Sequence, residues 1–172
     1  MSYFAAMLVR ADDQWKSADI ELDELGDIDE IADAMRDAAA DDGSVLLFVE
    51  QDDEWFAIVR VDGVGEPRVF ISDARVVGTS QLAATVFQDE VPEEVLEDVD
   101  SILDEDAEVD EEEEPVVRPD AEPRGATDLL ADFGMPAGEL LELCAEEGML
   151  PADVISAACE RLGCAEEIEV YR

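Results

Sequence analysis

Four short apolar runs separated by acidic or glycine-bearing turns constrain this chain more than any other feature. They are YFAAMLVR (Tyr3 to Arg10), VLLFV (Val45 to Val49), WFAIVRV (Trp55 to Val61) and RVFI (Arg68 to Ile71). Each is shorter than an ordinary helix, and each is rich in β-branched or aromatic residues, so each reads as a strand. The links Gln51-Asp52-Asp53-Glu54 and Asp62-Gly63-Val64-Gly65-Glu66-Pro67 are short and polar enough to close hairpins. An antiparallel meander follows. Asp12-Asp13-Gln14 is a further turn, after which WKSADIEL (Trp15 to Leu22) alternates weakly as a second strand pairing with the first.

Between these strands lies one well-marked helix. Asp27 with Glu30 has the form of an N-cap and its capping-box partner, because both carboxylates can accept from N–H groups left free in a first helical turn. Ile28, Ile31, Ala32, Met35 and Ala38 then recur on one face, and Gly43 closes the element. Leu82, Ala83, Val86 and Phe87 predict a second, short helix. The order strand, strand, helix, three strands, helix indicates an α+β domain. It is an α/β sandwich of the longin or profilin kind, with an antiparallel sheet, helices on one face and the other face free for docking.

The expected layout has three parts. Residues 1–87 form the sheet domain. Residues 88–124 hold 18 Asp or Glu against two Arg, too little apolar area to offset chain entropy, and read as a self-repelling, largely disordered linker. Residues 125–172 form a small all-helical module with an internal repeat, GMPAGELLELC (Gly134 to Cys144) echoed by GMLPADVISAAC (Gly148 to Cys159). In both copies Gly-Met ends one helix and Pro-Ala opens the next. About 45 residues make a marginal core, so this module stands barely alone or leans on a partner or on the first domain.

Charge decides which partners are physically sensible. Asp and Glu number 49 against 10 Lys and Arg, a net charge of −39. Nucleic-acid affinity rests on cations displacing condensed counterions, so direct DNA or RNA binding is excluded, and anionic membranes are excluded by the same sign. The field instead steers basic proteins, an effect that salt weakens. Acidity that serves only solubility is the plainer alternative. The first residues carry no basic, then apolar, leader and no run reaches the 18 or more apolar residues of a membrane span, so a soluble cytoplasmic protein is expected.

Catalytic chemistry finds little to use. The chain has no histidine, which removes Ser-His and Cys-His nucleophile systems and imidazole metal ligands. Lys16, the only lysine, follows no phosphate-binding loop. Cys144, Cys159 and Cys164 match neither a redox pair nor a zinc knuckle and read as buried, inert thiols. Asp104 to Asp110 has the acid spacing of a calcium loop but lacks its turn glycine. No cofactor and no metal site is expected. Two features suit partner binding. Asp52, Asp53 and Glu54 beside Trp55 and Phe56 would offer an outward aromatic anchor with an acidic rim to an Arg-rich partner, against the alternative that both rings lie within the fold. Glu111, Glu112, Glu113 and Glu114 would offer a cation-binding run, against the alternative of a solvated spacer.

Three segments, YFAAMLVRADDQW, DDEWFAIVRVDGVGEPRVFISDA and LLELCAEEGMLPADVISAACERLG, agree in order with a known family. On them the chain resembles the bacterial tRNA adenosine deaminase-associated proteins over nearly its whole length. The resemblance implies genomic association with the deaminase that makes inosine at the tRNA wobble position, and it carries no catalytic motif. The chain lacks the H-x-E and P-C-x-x-C zinc pattern of such deaminases, so it is not the deaminase itself. The expected function is a non-catalytic accessory protein binding a basic partner, with a tRNA adenosine deaminase as that partner. The alternatives are a nucleic-acid-mimicking inhibitor of a tRNA-binding enzyme and a carboxylate- or metal-dependent enzyme.

Overall fold

Strand alternation divides the apolar side chains of this chain into two cores, one on each face of a single sheet. The computed structural model describes residues 3–39, 43–87, 123–146 and 148–169. The strands are β1 (Tyr3–Ala11), β2 (Gln14–Ala18), β3 (Ser44–Gln51), β4 (Trp55–Asp62), β5 (Arg68–Ile71) and a two-residue β6 (Arg124–Gly125). They form an antiparallel sheet in the order β2-β1-β3-β4-β5-β6. Helices α1 (Ile28–Ala38), α2 (Gln81–Phe87), α3 (Ala137–Ala145), α4 (Pro151–Leu162) and α5 (Ala165–Glu169) complete the described residues. The protein is α+β.

The strand expected over residues 15–22 is shorter than its alternation suggested. β2 ends at Ala18, and Leu22 turns away into a 3₁₀ turn, Leu22–Glu24, that buries its side chain beneath α1. Helix α1 begins where Asp27 predicts: its carboxylate accepts from the Glu30 N–H at 2.9 Å. The Glu30 carboxylate reaches back one residue further than a capping box requires, accepting from the Gly26 N–H at 2.6 Å.

On the first sheet face, Val45, Leu47, Val49, Trp55, Val59 and Ile71 pack against Ile31 and Met35 of α1 and against Val86 and Phe87 of α2. The second face carries Leu8, Leu46, Phe48, Phe56, Ile58 and Phe70. That face is not free. Leu129, Leu130, Met135 and Leu140 cover it together with Val154, Ile155, Cys159 and Leu162 of α4. The physical reason is written in the strands themselves. VLLFV contains no polar residue on either parity, and a sheet face left to water carries polar side chains at alternate positions.

Two left-handed glycines shape the covering helices. Gly134, at φ 109°, closes the 3₁₀ turn Ala131–Phe133, and Gly163, at φ 79°, closes α4. Pro151 occupies the first turn of α4, where its missing N–H costs nothing. At the sheet edge, Gly125 (φ 98°) lets β6 approach β5 closely: a Cβ there would lie 2.1 Å from the Val69 carbonyl oxygen.

Candidate functional site

The acidic turn between β3 and β4 is built as a rigid tip. Gln51 pairs with Trp55, leaving Asp52, Asp53 and Glu54 as the loop. Asp52 and Asp53 both adopt positive φ, 53° and 57°, a region that aspartate tolerates better than most side chains. The Asp53 N–H donates to the Glu50 carboxylate at 2.7 Å, and the Glu54 N–H donates to the Gln51 carbonyl at 3.0 Å. Beneath the tip, the Ser80 hydroxyl donates to the Gln51 side-chain oxygen at 2.6 Å. All three loop carboxylates are exposed on this frame.

The two aromatics behind them are placed differently from an outward anchor. Trp55 is 1% exposed in the helix-side core, and Phe56 is 2% exposed in the core of the covered face. Adjacent strand positions point to opposite faces, and both faces are covered, so neither ring reaches the surface. Their contribution is to fix the turn from below. Glu111, Glu112, Glu113 and Glu114 lie outside the described residues.

A second charged cluster joins the covering segment to the far end of the sheet. Arg60 on β4 is 5% exposed and points onto the covered face. Its guanidinium donates to the Leu129 carbonyl and to both oxygens of Asp132, with Nη2 to Oδ2 at 2.7 Å, while its Nε lies 2.9 Å from Asp62 Oδ2. Phe133 lies against the guanidinium of Arg60 at 4.2 Å, against that of Arg10 at 4.9 Å, and edge-on to Trp15 at 5.1 Å. The hydrogen bond to Arg60 holds the Asp132 carboxyl below the usual carboxylate range, and the same bond raises the Arg60 guanidinium. Sequence reading missed this node. A lone arginine inside the apolar run WFAIVRV is the available signal, but its partner lies 72 positions away.

Among the described residues, no group of three or more Asp, Glu or Cys is arranged to hold a metal ion. Cys159 and Cys164 are buried, and burial pushes the half-buried Cys144 thiol up to about 12, far from a reactive thiolate near neutral pH. An open cleft of about 270 Å³ is lined by Ile28, Asp29, Glu66, Pro67, Val69, Val86 and Phe87. No described helix is long and apolar enough to cross a membrane.

The family described as Rv3753c-like tRNA adenosine deaminase-associated protein matches residues 3–165. The chain belongs to this family. No curated protein and no solved structure matches it. The family match runs from β1 into the start of α5, so both the sheet and its cover are part of what defines a Rv3753c-like protein.

Proposed function

We propose that this chain is a non-catalytic acidic accessory protein that binds a basic protein partner in the cytoplasm, and that the partner is a tRNA adenosine deaminase. The observation that carries this reading is the combination of family membership with a net charge of −39 on a chain without histidine. An enzyme that grips tRNA must present Lys and Arg, and those same cations attract a surface of this sign. Asp52, Asp53 and Glu54 are the contact we favour, because a rigid tip loses little conformational freedom on binding. Glu111 to Glu114 are a second run of charge that we assign to the same partner.

The test is co-purification of the full chain with the deaminase at low salt, repeated with the triple variant Asp52→Asn, Asp53→Asn, Glu54→Gln. The reading expects a complex with the parent chain and a weaker one with the variant. Failure of the parent chain to retain the deaminase would end it.

A second reading rests on the acidic run from Asp104 to Glu114. In it the run imitates a nucleic-acid backbone and inhibits the enzyme by filling its tRNA groove. Deleting residues 104–114 should then relieve inhibition in a deamination assay, and inhibition that survives the deletion argues against mimicry.

A further inference from the structure

The cover on the second sheet face is fastened at its two margins rather than through a continuous backbone ladder. At the β4–β5 margin the fastening is Arg60 with Asp132, the Leu129 carbonyl and the Phe133 ring. At the β2 margin the Trp15 Nε1–H donates to the Leu162 carbonyl at 3.1 Å, and the Ser17 N–H donates to the Glu167 carboxylate at 3.3 Å. Among the described residues, the cover's main-chain pairing with the sheet is short: β6 and the adjoining Ala126, whose N–H donates to the Val69 carbonyl at 2.8 Å. Between the margins the contact is apolar side chain on apolar side chain, with Phe48, Phe56 and Phe70 beneath Leu129, Leu130 and Ile155.

We propose that residues 124–169 are a releasable cover, an intramolecular ligand whose Asp132–Phe133 pair is the latch, and that the face beneath is a second binding surface. Two observations single out the latch. Arg60 is 5% exposed whereas the Asp132 side chain is 61% exposed, so the buried charge keeps Asp62 on its own strand, and the carboxylate that the cover adds is reachable from solvent. A buried guanidinium demands a carboxylate, but it does not demand this one. In addition, about 35 residues separate Phe87 from Pro123, and a chain of that length can span at most roughly 120 Å. The number of residues between Phe87 and Pro123 therefore does not by itself require the cover to stay on the sheet.

With the cover lifted, the sheet presents an aromatic and aliphatic surface bordered by Arg10 and Arg60, the opposite of the acidic exterior. The occupant that fits is an apolar segment bearing an aspartate next to an aromatic ring, the chemistry of Leu129–Phe133 itself. The Arg60–Asp132 latch lies at the opposite end of β3 and β4 from the Asp52–Glu54 tip, while the face itself runs from the latch to Phe56 beneath that tip.

The experiment uses the full chain carrying a protease site within residues 88–122. After cleavage, the two fragments are followed by gel filtration and by tryptophan emission, to which Trp15 contributes from against Phe133 and Trp55 from the other core. The proposal expects the fragments to co-elute when concentrated, to separate on dilution, and to recombine on reconcentration. Asp132→Asn should raise the concentration of half-separation about ten-fold without loss of the folded, uncut chain. Arg60→Met should raise it further. Fragments that stay together at every dilution, fragments that aggregate irreversibly once apart, or an Asp132→Asn chain that separates at the parent concentration would each overturn it.

Discussion

Arg60 and Asp132 allow the coupling across the second sheet face to be worked out from geometry. Asp132→Asn keeps the shape of the side chain but removes the charge opposite a guanidinium that is 5% exposed. Hydrogen bonds to charged groups contribute about 1.5–3 kcal/mol. Because Asp132 is itself mostly exposed and Arg60 keeps Asp62 and the Leu129 carbonyl, the expected loss falls toward the lower end, about 1–2 kcal/mol. Arg60→Met keeps the apolar stem but removes the donor to Leu129, both carboxylate partners and the cation over Phe133, for a loss of about 2–3 kcal/mol. The double variant should cost less than the two singles together, by about 1–2 kcal/mol, because it removes the shared interaction only once. Urea denaturation followed by far-UV circular dichroism measures all four proteins. A coupling energy near zero, or an Asp132→Asn chain as stable as the parent, would refute the reading of this node as the fastening of the cover.

Three further expectations follow from the same structure. Asp132 has a lowered native pKa, so its contribution is fully present above the ordinary carboxylate value of 3.8 and is lost as pH falls through the native value. The stability gap between the parent and Asp132→Asn should therefore hold from neutral pH down to the ordinary carboxylate range and close only below it; a gap already closed at pH 6 would contradict this. Gly125→Ala would force a Cβ against the Val69 carbonyl at positive φ, costing about 1–3 kcal/mol and loosening the Ala126 N–H bond to Val69, which hydrogen exchange at Ala126 reads directly. Cys144, its thiol raised to about 12 by burial, should react with a thiol reagent at pH 8 far more slowly than a free cysteine; rapid labelling there would show that its helix does not stay seated.

Much of the sheet was legible because its signals are local. The Asp27–Glu30 pair marks the start of α1 within four residues, and the turn at 51–54 announces itself by composition and sets the β3–β4 register. The fate of the second face was also written locally, in the lack of polar residues along VLLFV, yet it reads as a free surface until the continuous apolar run is taken to mean burial on both sides. What covers that face was beyond reach. Leu129 and Ile155 are separated from Phe48 by more of the chain than periodicity can bridge, and the repeat from Gly134 to Cys159 predicts helices without saying where they dock. For the candidate site, the acidic tip was visible as charge, but whether Trp55 and Phe56 point outward depends on two cores that only the assembled fold supplies. Arg60 is the clearest limit: a single arginine in an apolar strand is recognisable as unusual, and its partner is not.

The account turns on whether an uncompensated acidic surface draws a cationic protein. The most direct measurement is the affinity of the full chain for a tRNA adenosine deaminase, taken by calorimetry at ionic strengths rising from about 50 mM, with the screening length falling below roughly 10 Å once about 100 mM is passed. The account predicts a complex whose dissociation constant rises steeply with added salt and whose formation tRNA opposes. No complex at the lowest salt, or one indifferent to ionic strength, would contradict it.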